Sequence, residues 1–304
     1  MNMRKTLASV LFISLAAGVA IAQPQHASHG APPPSRIDVP AAGVTFPMRD
    51  FGGRPLVDVR IDDKGPYSFI FDTGASITVI GEEISRELTL ASPAGVHASP
   101  PGGGAPPKIV TVNTLRLGAA TLGGIMAAIM PSPALFTTDG APQGVLSASS
   151  FPGCLVIFDY PGKRITIKPG ALESADSKTI FQYGDDQVLP LVPVRIVGHE
   201  TSVHLDTGSA YTLTLPRHFL AELPLKTPPK DAGIARLHSG SFPVSGAEVD
   251  GSIQLGQYTL DIPEVRFSDV RLGGEIGPGN LGYTVLKNFV VTLDSKNRRV
   301  SLGR

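Results

Sequence analysis

Two tripeptides, Asp72-Thr73-Gly74 and Asp206-Thr207-Gly208, each close an apolar run, in "SFIFDTGASITVI" and "VHLDTGSAYTLTL". Strands rich in Val, Ile and Phe rarely end by burying a carboxylate, so an aspartate in that place calls for a reason. Glycine lets the backbone turn sharply after each aspartate, and threonine is small enough to pack beneath the turn. Each loop can thus hold one carboxylate at its mouth, braced by backbone N–H groups. Brought face to face, two carboxylates cannot both ionise easily. One pKa falls, the other rises, and the pair keeps a single proton. The ionised member can then take a proton from a water while the protonated member polarises a carbonyl. That is hydrolysis without a metal or a covalent intermediate.

The two aspartates occupy equivalent places in an internal duplication. "VDVRI" begins at Val57, 15 residues before Asp72, and "VPVRI" begins at Val192, 14 before Asp206. Downstream, "FDYPGKRITI" (158–167) matches "LDSKNRRVSL" (293–302), with Asp159 87 residues after Asp72 and Asp294 88 after Asp206. Between them "GVLSASSFPGCLVIFD" matches "GNLGYTVLKNFVVTLD", and Leu146 and Leu281 each stand 13 residues before the closing aspartate. Two copies of the tripeptide in register inside such a repeat are not chance. They predict two lobes of like fold, packed about a local twofold axis, with Asp72 and Asp206 meeting between them.

The elements that must carry these loops are strands. The 34 Gly and 28 Pro among 304 residues suit many short strands joined by tight turns. From Val44 onward "LVDVRI", "YSFIFD", "KIVTVNTLRL", "CLVIFD" and "RITI" are β-branched or aromatic runs bounded by Gly, Pro or Asp. Helical signals are few and short, with 82–88 and 217–223 the best candidates. An all-β chain follows, with lobes at 45–172 and 180–304.

Upstream, Arg4 and Lys5, the run "TLASVLFISLAAGVAIA" and the small residues at 20–22 predict a signal peptide over 1–22, cleaved before Gln23. The product is then periplasmic or secreted, with no stable membrane insertion. Residues 23–44 read as a flexible leader, and His26 and His29 in it read as solvated rather than metal-binding. Acidic and basic residues balance at 26 each, a balance that favours neither nucleic acid nor an acidic membrane surface. The lone Cys154 lies in "GCLVIFDY" and reads as a buried structural thiol, so a packed core rather than disulfides must hold the fold.

Rival motifs fail on context. "GPGNLG" (277–282) fits a dinucleotide fingerprint, but it lies near the C-terminus, contains Pro, and is already explained by the repeat. "PPGGGAPP" has no following Gly-Lys-Ser/Thr, no G-x-S-x-G elbow occurs, and the seven His show no H-E-x-x-H spacing. No metal and no cofactor is expected. His204 shares a strand side with Asp206 and is read either as a core or solvated histidine or as a modest electrostatic partner.

"FDTGAS" and "LDTGSA", each followed far downstream by an apolar-Gly type segment, resemble the aspartic proteases. The short lobes are similar to retropepsins, and the single chain of two lobes to pepsin; bacterial retropepsin-like aspartyl proteases share both traits. The resemblance covers roughly residues 45–304 and implies a bilobal fold of two pseudo-twofold-related β-barrel lobes, an intrachain pseudo-dimer acting as a monomer on a polypeptide substrate. It implies Asp72 and Asp206 as the catalytic pair, Thr73 and Thr207 bonding across to the opposite loop, Gly74 and Gly208 giving the turns, and a flap over the cleft. The flap is expected at 96–108, without the pepsin-like tyrosine. Two departures stand out. Ser147 occupies the place of Gly282, and the residue after the motif is Ala75 in one lobe but Ser209 in the other, so a strongly acidic optimum does not carry over. The competing class is a non-catalytic peptide-binding module on the same fold; retention of both Asp, both Thr and both Gly favours the hydrolase.

Overall fold

The computed structural model describes residues 18–20, 31–93, 97–99, 107–130, 140–184, 189–237, 240–262, 264–272 and 275–304. Almost all of its regular structure is strand. In the first lobe the strands Arg54–Ile61, Lys64–Asp72, Gly144–Ser147, Thr78–Gly81, Ala120–Met130 and Ile109–Leu117 pair in that order. Ile109–Leu117 then pairs back on Arg54–Ile61, which closes a six-stranded barrel and removes its open edges. The second lobe repeats the central order with Leu191–Ile196, His199–Leu205, Gly279–Leu281 and Leu213–Leu215, inside an open nine-stranded sheet.

A third sheet joins the lobes. Its order is Ile180–Gln182, Arg299–Gly303, Val290–Asp294, Cys154–Asp159, Arg164–Pro169 and Val44–Pro47. The closing segments of the two repeats form its four central strands, and Cys154–Asp159 pairs antiparallel with Val290–Asp294 across the lobe boundary. The lobes therefore share backbone hydrogen bonds as well as packing. Phe158 on this sheet meets Phe71 with ring centres 5.2 Å apart, and Phe71 meets Phe151 at 5.9 Å. All three rings are fully buried. Since Phe71 precedes Asp72, the core fixes one loop from below.

The expected helix at 82–88 is observed as Glu82–Glu87, whereas 217–223 shortens to a 3-10 turn, Arg217–Leu220. A second short helix, Tyr283–Leu286, carries no sequence signal of its own. The expected leader is partly strand. Arg36–Asp38 adds to Ala120–Met130, Ile37 is half-buried opposite Leu122, and Ser35 Oγ donates to the Gly123 carbonyl at 3.0 Å. This strand, Arg-Ile-Asp, holds no proline and adds at the end of its sheet. Val44–Pro47 likewise enters the shared sheet. Gly18–Ala20, inside the expected signal segment, pairs with His97–Ser99. The rest of the expected flap up to residue 106, and His26 and His29, lie outside the described residues. Among the described residues no helix is long and apolar enough to cross a membrane.

Truncating Phe158 to Ala should lower unfolding free energy by about 3–5 kcal/mol, read as a fall in the urea midpoint without a change in slope. An unmoved midpoint would show that the shared sheet does not carry the core.

Candidate active site

The two Asp-Thr-Gly loops meet at the centre of the molecule. Thr73 and Thr207 are fully buried, and their hydrogen bonds are reciprocal. The Thr73 N–H donates to Thr207 Oγ1 at 3.0 Å, and the Thr207 N–H to Thr73 Oγ1 at 3.1 Å. Each hydroxyl then passes its proton onward, Thr73 Oγ1 to the Leu205 carbonyl at 2.6 Å and Thr207 Oγ1 to the Phe71 carbonyl at 2.8 Å. Every bond crosses between lobes. A hydroxyl has one proton and two lone pairs, so this use satisfies both groups inside the core.

Asp72 and Asp206 are thereby held side by side, close enough for the charge of Asp206 to act on Asp72. Asp72 Oδ1 accepts the Gly74 N–H at 2.7 Å and, across the lobes, the Gly208 N–H at 3.1 Å. The carboxyl lies so close to Gly208 that a Cβ there would stand 2.4 Å from Asp72 Oδ2. Only glycine permits this approach. Burial first, and the charge of Asp206 second, hold Asp72 well above the ordinary carboxylate value, against the pull of the two glycine N–H groups. Asp206 is fully buried, and its Oδ2 accepts the Asn280 side-chain amide at 2.7 Å.

In each lobe a strand from the end of the repeat passes behind the loop. Gly144–Ser147 runs parallel to Lys64–Asp72, and Gly279–Leu281 runs parallel to His199–Leu205. Ser147 stands where the other lobe has Gly282. A Cβ on Gly282 would come within 2.5 Å of the Tyr211 carbonyl, 2.6 Å of the Ser209 carbonyl and 2.7 Å of Ser209 Oγ, so chiefly backbone excludes a side chain there. The first lobe has Ala75 in place of Ser209, and there Ser147 Oγ donates to the Ala75 carbonyl at 2.6 Å. The hydroxyl has moved from loop to strand.

Two residues at the centre carry no motif. Arg54, 6% exposed, reaches from the first lobe to donate its Nε–H to the Gly208 carbonyl at 2.9 Å. Burial pulls its pKa down, opposed by Tyr211, Asp206, Asp72 and Asp50. Beside it Gly53, at φ +89°, lets the Tyr283 ring of the second lobe approach where a Cβ would stand 2.6 Å from Cδ1. Arg54 and Asn280 were both detectable as breaks in the repeat, because Leu189 and Val145 stand in the matching places. His204 is a core residue, 5% exposed, and burial lowers its pKa to about 4. Cys154 is buried with its pKa raised by burial, which suits an inert thiol. Among the described residues no group of three or more His, Cys, Asp or Glu could hold a metal ion.

Comparison with known proteins agrees with the duplicated architecture. A family model described as aspartyl protease matches residues 57–149 and again 192–285, and the chain belongs to that family, in its retropepsin-like form. Among curated proteins none matches the chain.

His204 sets a limit on acid stability. Its Nδ1 is buried without a partner among the described residues, so a proton there would be unsolvated. The folded ring protonates only near pH 4, against 6.5 for a free histidine, so the unfolded chain binds the proton first as pH falls. The contribution is whole above about pH 6.5 and is lost between there and pH 4, on the order of 3 kcal/mol. His204→Leu should flatten this part of the stability–pH curve. A curve that keeps its slope would place the titration elsewhere.

Proposed function

We propose that the protein is an aspartic endopeptidase that hydrolyses peptide bonds with a water activated between Asp72 and Asp206. The observation that carries this reading is the reciprocal Thr73–Thr207 lattice, which holds one carboxyl from each repeat side by side. A pair so close retains one proton, and the raised pKa of Asp72 supports that state. In the reaction the ionised carboxylate removes a proton from water, and the water oxygen bonds to the peptide carbon. The carbonyl π pair moves to its oxygen, which takes the proton of the other carboxyl. The resulting gem-diol then collapses: a hydroxyl proton returns to the dyad, the amine nitrogen is protonated, and the C–N bond breaks. Products are a carboxylic acid and an amine, and the dyad again holds one proton.

One chain supplies both halves of the site, so we infer that it acts as a monomer. The substrate is an extended polypeptide, whose backbone can pair with strand edges beside the loops. The N-terminal sequence supports export, to the periplasm or beyond the cell, followed by loss of residues 1–22.

Asp72→Asn or Asp206→Asn alone should reduce peptidase activity by about a thousandfold or more, with little further loss in the double variant, because the carboxyls act as a unit. Thr207→Ala should give a partial loss, since it loosens the lattice and leaves the acid–base pair in place. Asp72→Asn should also be the more stable protein at neutral pH. A carboxyl with a raised folded pKa binds its proton more tightly when folded, so its ionisation costs stability as pH rises. Cleavage of an unfolded protein at wild-type rate by either Asn variant would assign the activity to other residues.

A further inference from the structure

The two lobes differ most behind their aspartates. In the first lobe Ile70, Val145 and Val79 lie opposite one another on adjacent strands, all apolar and buried. In the second lobe the same cross-strand file is His204, Asn280 and Thr214, all polar and buried, at 5%, 3% and 4% exposure. Burying three polar side chains where aliphatic ones pack in the twin lobe costs stability unless they do something. One of them does: Asn280 donates to Asp206 Oδ2 at 2.7 Å, a bond that Val145 cannot make to Asp72. Arg54 breaks the symmetry in the same direction, since its guanidinium binds the Gly208 carbonyl on the Asp206 loop, while Leu189 stands in the matching place.

We propose that Asn280, together with the Arg54 guanidinium on the Asp206 loop, makes the two carboxyls inequivalent and keeps the shared proton on Asp72, so that Asp206 is the carboxylate that takes the proton from water. Asn280 is then a positioning residue acting through Asp206. The inference rests on the peptidase reading and deepens it. Two features oppose it: the glycine N–H groups on Asp72 and the full burial of Asp206. Both N–H groups fall on one oxygen, Oδ1, which leaves Oδ2 to carry the proton. The buried Arg54 guanidinium is a full charge that acts more on Asp206 than on Asp72, and the Asn280 amide adds a charge-assisted bond to Asp206 alone, so both favour ionisation there over the two backbone N–H groups on Asp72. The other titratable groups around the dyad are Asp50, Tyr160, Tyr211, Tyr283 and His204. Asp50 is the only further acid among them, and it faces Arg54.

The test is the pH profile of kcat/KM for Asn280→Val, which installs the first lobe's own residue. Should that variant pack poorly, the triple change His204→Ile, Asn280→Val, Thr214→Val copies the whole apolar file. With the proton on Asp72, Asn280 stabilises the singly ionised pair relative to the doubly protonated one. The acidic limb should therefore rise by about one to two pH units and the basic limb stay in place. A basic limb that rises alone would put the proton on Asp206, and two unmoved limbs would reduce Asn280 to a packing residue; either result overturns the proposal. Carboxyl NMR of the isotope-labelled wild-type protein reads the same assignment without substrate. Asp72 should titrate in the upper step, and an upper step belonging to Asp206 refutes it. A wild-type protein that cleaves no peptide at any pH would sink the peptidase reading, while the NMR titration would still decide where the proton sits.

Discussion

The four hydrogen bonds of Thr73 and Thr207 are the constraint on which the rest of the molecule depends. Two loops carrying carboxylates would repel one another if only contact held them. The lattice offsets this because each threonine is satisfied only by atoms of the opposite lobe, so separating the loops would leave buried polar groups unpaired. The shared sheet beneath supplies the remaining rigidity. Its pairing of Val156 with Leu293 and Phe158 with Val291 sets the spacing of the lobes before any side chain of the site is considered. Phe71 links the two levels, giving its ring to the core and its carbonyl to Thr207.

Duplication yields a symmetric frame, but the chemistry proposed here needs an acid and a base from two copies of one residue. The departures from symmetry lie where that difference can be made. Asn280 and Arg54 bring donors and charge to the Asp206 side, and the polar file of His204, Asn280 and Thr214 replaces an aliphatic one. The same file limits tolerance of acid through His204, so chemistry and stability are coupled in one cross-strand row. By contrast, the exchange of Ser147 and Ala75 for Gly282 and Ser209 keeps a tight contact and changes little else.

Much of the frame was legible because the repeat is visible as spacing. Even its irregularity has a local cause. The extra residue between Val57 and Asp72 is a bulge in the first hairpin, where Val59 faces Tyr67 but Ile61 faces Lys64, while the second hairpin pairs Leu191–Ile196 with His199–Leu205 without a shift. The paired carboxyls and threonines were legible through their tripeptides. Arg54 and Asn280 were not, because neither belongs to a motif and each acts on a loop distant in sequence; only comparison of the repeats with each other exposes them. The role of Ser147 is equally hidden, since its hydroxyl bonds the carbonyl of Ala75, 72 residues away. Nothing in the sequence marks Arg36–Asp38 as a strand, because the Pro-rich stretch just before it describes a leader and the approach to a sheet edge equally well.

The central claim is that two carboxyls, one from each repeat, activate water directly. Its most direct test is peptide cleavage by the purified mature protein in heavy-oxygen water, with the fragments weighed by mass spectrometry during the first turnover. The account predicts one heavy oxygen in each newly formed carboxyl group, no covalent peptidyl–protein adduct at any time, and loss of the signal when a statine-type inhibitor fills the site. A trapped acyl adduct, or fragments still forming with the inhibitor bound, would contradict it.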